Sequence, residues 1–96
     1  MALNVDLEAV ADYLGFEETD PMINRNIARM IPAADRFLQS AIGDDYDRDD
    51  PRAQQLAVMV VAELYDTRGV MSAKQEAQLR RIAAEFINQM RLEGRE

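Results

Sequence analysis

The chain lacks cysteine and histidine altogether, and it has only four glycines among 96 residues. Without cysteine there is no disulfide and no thiol chemistry, and without histidine the usual general base and the commonest metal ligand are missing. So few glycines leave no glycine-rich loop for a phosphate group. We therefore expect a protein that is not an enzyme and that needs no cofactor.

Basic residues are also scarce, with 11 against 18 acidic residues and a net charge of -7. Lys74 is the only lysine, so ten of the 11 basic residues are arginines. Because phosphate binding needs concentrated Lys and Arg, this balance argues against a nucleic-acid surface as the main function.

Long apolar runs are missing as well. The longest covers residues 56–62, which is too short for a membrane span. The first ten residues, MALNVDLEAV, have neither a positive flank nor a long apolar core, so we do not expect a signal peptide. The sequence predicts one domain over residues 1–96 that is cytosolic where it is made and has no membrane partner.

What is present is apolar spacing typical of helices, and it predicts an all-α bundle of about four. The first helix covers about residues 5–14, with Asn4 as its N-cap and Gly15 as its end. The second begins at Asp20 and Pro21 and ends at Gly43. Pro32 interrupts this long helix, but its apolar stripe keeps phase, which favours one bent helix and leaves two shorter ones open.

The third helix follows Asp50 and Pro51 and runs to about residue 66 or 68. Its apolar residues cover nearly every side, because Val58 and Met59 lie opposite the main stripe. Such a helix must be enclosed by other helices or by another subunit, so we expect self-association. The main stripe is Leu56, Ala57, Val60, Val61 and Leu64.

The fourth helix begins with a capping-box pattern, in which Gln75 follows Ser72 by three residues. A polar tail, residues 91–96, follows it and is expected to be flexible. The stripe of this helix is Leu79, Ile82, Ala83, Phe86, Ile87 and Met90.

The connection of residues 43–50 is acidic and carries Asp45, Asp47 and Asp49 in a D-x-D-x-D pattern. A calcium loop of this kind needs glycine at its sixth position and glutamate at its twelfth, where this chain has Asp50 and Leu56. We therefore expect no metal site, but a solvated loop whose last acids favour the start of the next helix.

Three arginines of the second helix, Arg25, Arg29 and Arg36, share one face by their spacing. This arginine row is either a solvated face or part of an interface with acidic groups of a neighbouring subunit. Met59, on the crowded third helix, is the methionine best placed for a partner contact.

Three segments of the chain resemble a known family. They are LEAVADYLGF in the first helix, MIPAADRFLQSAIG at the end of the second, and LYDTR at the end of the third. Their order is similar to that in the small head–tail connector (adaptor) proteins of tailed bacteriophages. Pro32 departs from the family pattern, where a helix-forming residue is usual.

The resemblance implies a structural virion protein that forms a ring, typically of twelve copies, below the portal protein at the head–tail junction. Its partners would be other copies, the portal, and the next head-completion or tail protein, with DNA only passing through the channel. Before assembly it would lie in the cytoplasm of the bacterial host. Candidate subunit contacts are Arg25, Arg29, Arg36, Asp44, Asp45, Asp47 and Met59, and candidate portal contacts are Arg91, Leu92 and Arg95.

The alternative is a small helical DNA-binding regulator. The third and fourth helices are joined by a short turn, residues 67–71, that contains Gly69, as the turn of a helix-turn-helix often does. Against it, the fourth helix begins SAKQEAQ, which has a single basic residue.

Overall fold

The computed structural model describes the backbone of residues 3–93 and the side chains of residues 3–89. The described chain is all-α, as predicted, and contains no strand. Its helices are α1 (Leu7–Leu14), α2 (Pro21–Ala28), α3 (Ile31–Ala41), α4 (Pro51–Asp66) and α5 (Ala73–Glu93). Together α2 and α3 are the long second helix of the sequence prediction.

Polar side chains fix where four of these helices begin. The carboxylates of Asp20 and Asp50 accept backbone N–H groups at the start of α2 and α4. Ser72 and Gln75 form the predicted capping box, because each side chain accepts the backbone N–H of the other. The N-cap of α1 is Asp6, which accepts the N–H of Glu8, so the expectation of Asn4 as the cap was wrong.

The expected bend lies at the joint between α2 and α3. Arg29 and Met30 keep right-handed helical dihedral angles, but the N–H of Met30 reaches back only three residues, to the carbonyl of Ile27. This tighter turn places Pro32 in the first turn of α3, where a missing N–H costs no helical hydrogen bond. The chain therefore bends without leaving the helical region.

Helix α4 lies at the centre of the fold and is the only helix of the described chain that packs against all four others. This enclosure explains its apolar sequence. The apolar surface of α4 is thus covered within one copy, and it does not by itself require a second subunit. Apart from the exposed Pro51 in its first turn, only Val58 and Met59 among its aliphatic residues remain partly exposed. The buried residues of α4 are Ala53, Leu56, Ala57, Val60, Val61, Ala62 and Leu64.

Helix α5 packs against α3 and α4 through the buried residues Leu79 and Ala83. Arg80 strengthens this contact, since its guanidinium lies 5.1 Å from the ring centre of Phe37 and donates to the hydroxyl of Ser40. Phe86 is the last residue of α5, within the described side chains, that packs against the core. The helix itself continues to Glu93.

Candidate interaction surfaces

The acidic segment 43–50 is held against α3 by side chains that were not among the residues predicted from the sequence. Tyr46 is buried, and its hydroxyl donates a hydrogen bond to the Asp35 carboxylate on α3. Arg48 donates two more to the same carboxylate, at 3.0 and 3.2 Å, and its guanidinium covers the Tyr46 ring. The amide of Gln54 on α4 donates to the Arg48 carbonyl. The segment is therefore a fixed part of the fold.

These contacts shift the acid–base properties of the residues that make them. Burial alone would raise the pKa of Asp35, but the hydrogen bonds from Arg48 and Tyr46 favour its charged form and hold its pKa below the usual value. Burial and the neighbouring Asp35 carboxylate raise the pKa of Tyr46, so its hydroxyl stays protonated as a donor. The three groups thus form a charge-balanced cluster at neutral pH.

The candidate acids of this segment point to solvent. Asp44, Asp45 and Asp47 are all exposed, and the Asp47 carboxylate accepts the backbone N–H of Asp49. Within residues 3–89, no three carboxylates come close enough together to hold a metal ion. The segment therefore offers negative charge on a rigid frame.

The described arginines divide into two sets. Arg48, Arg52 and Arg80 make ion pairs within the chain. The other set is exposed, and its guanidinium groups have no hydrogen bond or ion pair to any described residue. This second set contains the whole arginine row, and its members are Arg25, Arg29, Arg36, Arg68 and Arg81.

Two of the free arginines, Arg29 and Arg68, line one open pocket of about 400 Å³. This arginine pocket lies between the α2–α3 joint and the end of α4. Besides the two arginines, it is lined by Asn26, Met30, Tyr65 and Asp66. Sequence spacing predicted the position of Arg29 but gave no reason to join it with Arg68, because only the packing of α2 against α4 brings them together.

Arg68 adopts a left-handed backbone conformation with φ 58°, the only positive φ outside glycine in the described chain. It ends α4 in a Schellman motif, in which the N–H of Gly69 bonds to the Leu64 carbonyl and that of Arg68 to the Tyr65 carbonyl. Glycine is the usual residue at this position because a Cβ is strained there. The motif thus places Arg68 at the end of α4, where it lines the arginine pocket.

The second surface is an apolar groove of about 440 Å³ between α1 and the first half of α4. Its apolar side chains include Met59, the methionine singled out from the sequence, beside Val58. Tyr13 of α1 is half exposed in the same groove. The remaining lining residues are Asp6, Ala9, Pro51, Gln54 and Gln55.

The candidate portal contacts are Arg91, Leu92 and Arg95. The side chains of Arg91 and Leu92, and Arg95 as a whole, lie outside the described residues. No described helix combines the length and the apolar character that crossing a membrane would need.

Comparison of the chain with known protein families, with curated proteins and with solved structures gives no match. The fold class shown by the geometry is an all-α bundle built around a central helix.

Proposed function

We propose that the chain is a structural subunit without an active site, a head–tail connector (adaptor) of a tailed bacteriophage. In this proposal copies form a ring, typically of twelve, below the portal protein at the head–tail junction. The resemblance of three sequence segments suggests this role. One structural observation supports it best: a core completed within one copy leaves two chemically different free surfaces.

Those two surfaces meet a geometric requirement of rings. A closed ring of more than two copies uses head-to-tail contacts, so each subunit must present two different patches. The arginine row is exposed and without partners in the described chain, and Asp44, Asp45 and Asp47 form an exposed acidic patch on the fixed segment 43–50. Complementary charge of this kind sets the register of a contact more than its strength.

The apolar groove would supply the strength that charge does not. Val58, Met59 and Tyr13 offer partly exposed apolar surface in one place. Removing such surface from water is favourable by about 25 cal/mol per Å², from which the entropy cost of association is subtracted. We assign Met59 to the subunit contact on this ground.

The charge of the chain suits a channel through which DNA passes without being held. A net charge of -7 disfavours phosphate contacts. The other partners in this proposal are the portal protein and the next head-completion or tail protein, and the location is the virion after assembly in the bacterial cytoplasm. Arg91, Leu92 and Arg95 are the residues proposed to contact the portal.

The test is electron microscopy of the protein mixed with the portal protein of the phage that the proposal implies. We expect rings on the portal, and we expect Arg29→Glu to weaken ring formation without unfolding the monomer. Adding Asp45→Arg to that variant should restore part of the assembly. Arg81→Glu is the matched control, since Arg81 is an equally exposed and unpaired arginine on α5. A monomer that forms no ring with the portal contradicts the proposal.

The alternative, a DNA-binding regulator, is tested by a gel shift. The helix that would enter the DNA groove is α5, whose first two turns carry Lys74 and Arg80, and Arg80 is already paired with Glu76. Sub-micromolar binding to duplex DNA at about 150 mM salt would favour the regulator over the connector.

A further inference from the structure

The arginine pocket has a neighbour of opposite charge. Tyr65, which lines the arginine pocket, makes an edge-to-face ring contact with Phe16, the second residue after α1. The two ring centres lie 6.0 Å apart. On the other side of Phe16 lies a hollow lined by four exposed acids whose carboxylates have no hydrogen bond or ion pair within the described chain. The acids of this acidic hollow are Glu8, Asp12, Glu17 and Glu18.

Positive and negative charge therefore flank one aromatic pair on the same part of the surface. Both rings are partly exposed, so the centre of this surface is apolar and its two sides are charged. A surface of this kind is complementary to itself. A half-rotation about an axis through the aromatic pair would bring the arginine pocket of each copy towards the acidic hollow of the other.

We propose that two copies of the chain pair in this way, with the arginine pocket of each taking the Glu17–Glu18 loop of the other. These two carboxylates are favoured because they lie on a short connection next to Phe16 and are not used as helix caps. Planar guanidinium groups bind carboxylates through paired hydrogen bonds. The chain as a whole has a net charge of -7, which disfavours the approach of a nucleic acid. An acidic segment of a second copy therefore fits the arginine pocket better than a nucleic acid does.

The conformation of Arg68 supports this assignment. Arg68 keeps a side chain at a position where glycine would be less strained, and its guanidinium has no partner among the described residues. The pairing gives that guanidinium a partner.

Sedimentation velocity of the full chain tests the pairing. We expect wild type to reach the mass of two copies at high micromolar concentration in about 50 mM NaCl and to dissociate in about 500 mM NaCl, because exposed charges are screened by salt. Arg68→Glu and Glu18→Arg should each weaken the pair about tenfold. Arg81→Glu is the matched control and should change it less than twofold.

Mixing the two variants gives a sharper result. In a mixed pair, one contact keeps the wild-type Arg68 and Glu18, and the other has the same two charges exchanged between these positions. Association should therefore return to the wild-type level. A wild type that remains a monomer at about 1 mM in low salt overturns the proposal. So does an Arg68→Glu variant that pairs normally, a mixture that does not recover, or a wild-type species larger than two copies.

The absence of cysteine allows a second measurement. In a mixture of Arg29→Cys and Glu18→Cys chains, a short bis-maleimide can join only the two introduced thiols. We expect a cross-linked product that joins one Arg29→Cys chain to one Glu18→Cys chain. We expect no such product when Arg81→Cys replaces Arg29→Cys. Equal cross-linking in both mixtures overturns the assigned surface, even if the protein associates.

The pairing rests on the proposed connector role and extends it. Arg29 would take part in the ring contact and also in the contact between paired copies. A copy that is paired in this way could therefore not join the ring. Arg68 belongs only to the pair, so Arg68→Glu should still form rings on the portal, and from a lower protein concentration than wild type. Loss of pairing with normal rings supports both proposals. Normal pairing without rings leaves the pair intact and contradicts the connector alone.

Discussion

At the scale of single residues, the Asp35 carboxylate connects α3 to the segment 43–50 by side-chain hydrogen bonds. It accepts these bonds from Tyr46 and Arg48, both in that segment. These bonds place Tyr46 in the core and leave the acids of the segment outside. The Asp35 carboxylate is thus one of the groups that hold this segment in place, together with the apolar contacts of Tyr46 and the hydrogen bond from Gln54.

Replacing Asp35 by Asn should lower the free energy of unfolding by about 1 kcal/mol. The amide oxygen is a weaker acceptor than a carboxylate oxygen, and the amide nitrogen cannot accept the second hydrogen bond of Arg48. The partial exposure of both side chains keeps the loss modest. Urea unfolding followed by circular dichroism measures the change. Asp44→Asn is the control, since Asp44 is exposed and its carboxylate has no described partner, and it should have no effect. Equal effects of the two substitutions would contradict this interpretation.

The same carboxylate predicts a pH dependence. The pKa of Asp35 is lowered in the fold from its ordinary value of 3.8. A lowered pKa means that the stabilisation is present above the unfolded-state pKa and is lost as pH falls through the folded-state pKa. Wild type should therefore lose more stability than Asp35→Asn when acidified below about pH 4, as measured by melting temperature across a pH series. Parallel curves would exclude this role.

Replacing Arg68 by glycine should make the monomer more stable and weaken the pairing proposed above. Glycine adopts the left-handed conformation without strain, although it also makes the unfolded chain more flexible. Arg68→Gly should raise the free energy of unfolding by about 0.5 kcal/mol and remove the salt-sensitive association. Thermal melting and sedimentation velocity of the same sample would report the two effects. A less stable variant would show that the arginine side chain contributes to the monomer.

At the scale of helices, the sequence predicted most of the architecture. Helix starts could be read from local residues, since Asp20, Asp50 and the Ser72–Gln75 box bond to backbone within three positions. Apolar spacing also predicted the central helix. The error at the first helix arose because Asn4 and Asp6 are both good caps, and local pattern does not choose between them.

Contacts between distant helices could not be read in this way. Asp35 with Arg48, Phe16 with Tyr65, and the two sides of the arginine pocket depend on how the helices pack. Neither partner in these contacts is unusual in its own sequence window. The candidate arginine row was predicted from spacing, but its separation from the paired arginines required the structure. Its role as a subunit contact stays a prediction.

The α2–α3 joint gives a prediction about Pro32. A proline inside a continuous helix costs about 3 kcal/mol, whereas one in the first turn costs little and restricts the unfolded chain. Because Pro32 lies in the first turn of α3, Pro32→Ala should change the free energy of unfolding by less than about 1 kcal/mol, with a slight loss. Chemical unfolding measures it. A gain above about 1 kcal/mol would reveal strain at the joint.

At the scale of the whole molecule, the residues of α5 that pack against the core lie before the residues that are proposed to contact the portal. Within the described side chains, Phe86 is the last of α5 to pack against the core, whereas the proposed portal contacts begin at Arg91. Deleting residues 91–96 should therefore leave the melting temperature almost unchanged and impair binding to the portal, which co-sedimentation would measure. A deletion that unfolds the domain, or one that binds the portal normally, would show that this surface is wrongly placed.

The central position of α4 also has a consequence for synthesis on the ribosome. The chain emerges from its N-terminus, so α1, α2 and α3 leave the exit tunnel before the helix against which all of them pack. Their apolar faces lack their main packing partner until residues 51–66 have emerged as well. A pause in synthesis while residues 51–66 are still inside the tunnel would thus leave the apolar faces of α1, α2 and α3 accessible to chaperones and proteases. Once α4 has left the tunnel, these three helices have the partner against which they pack.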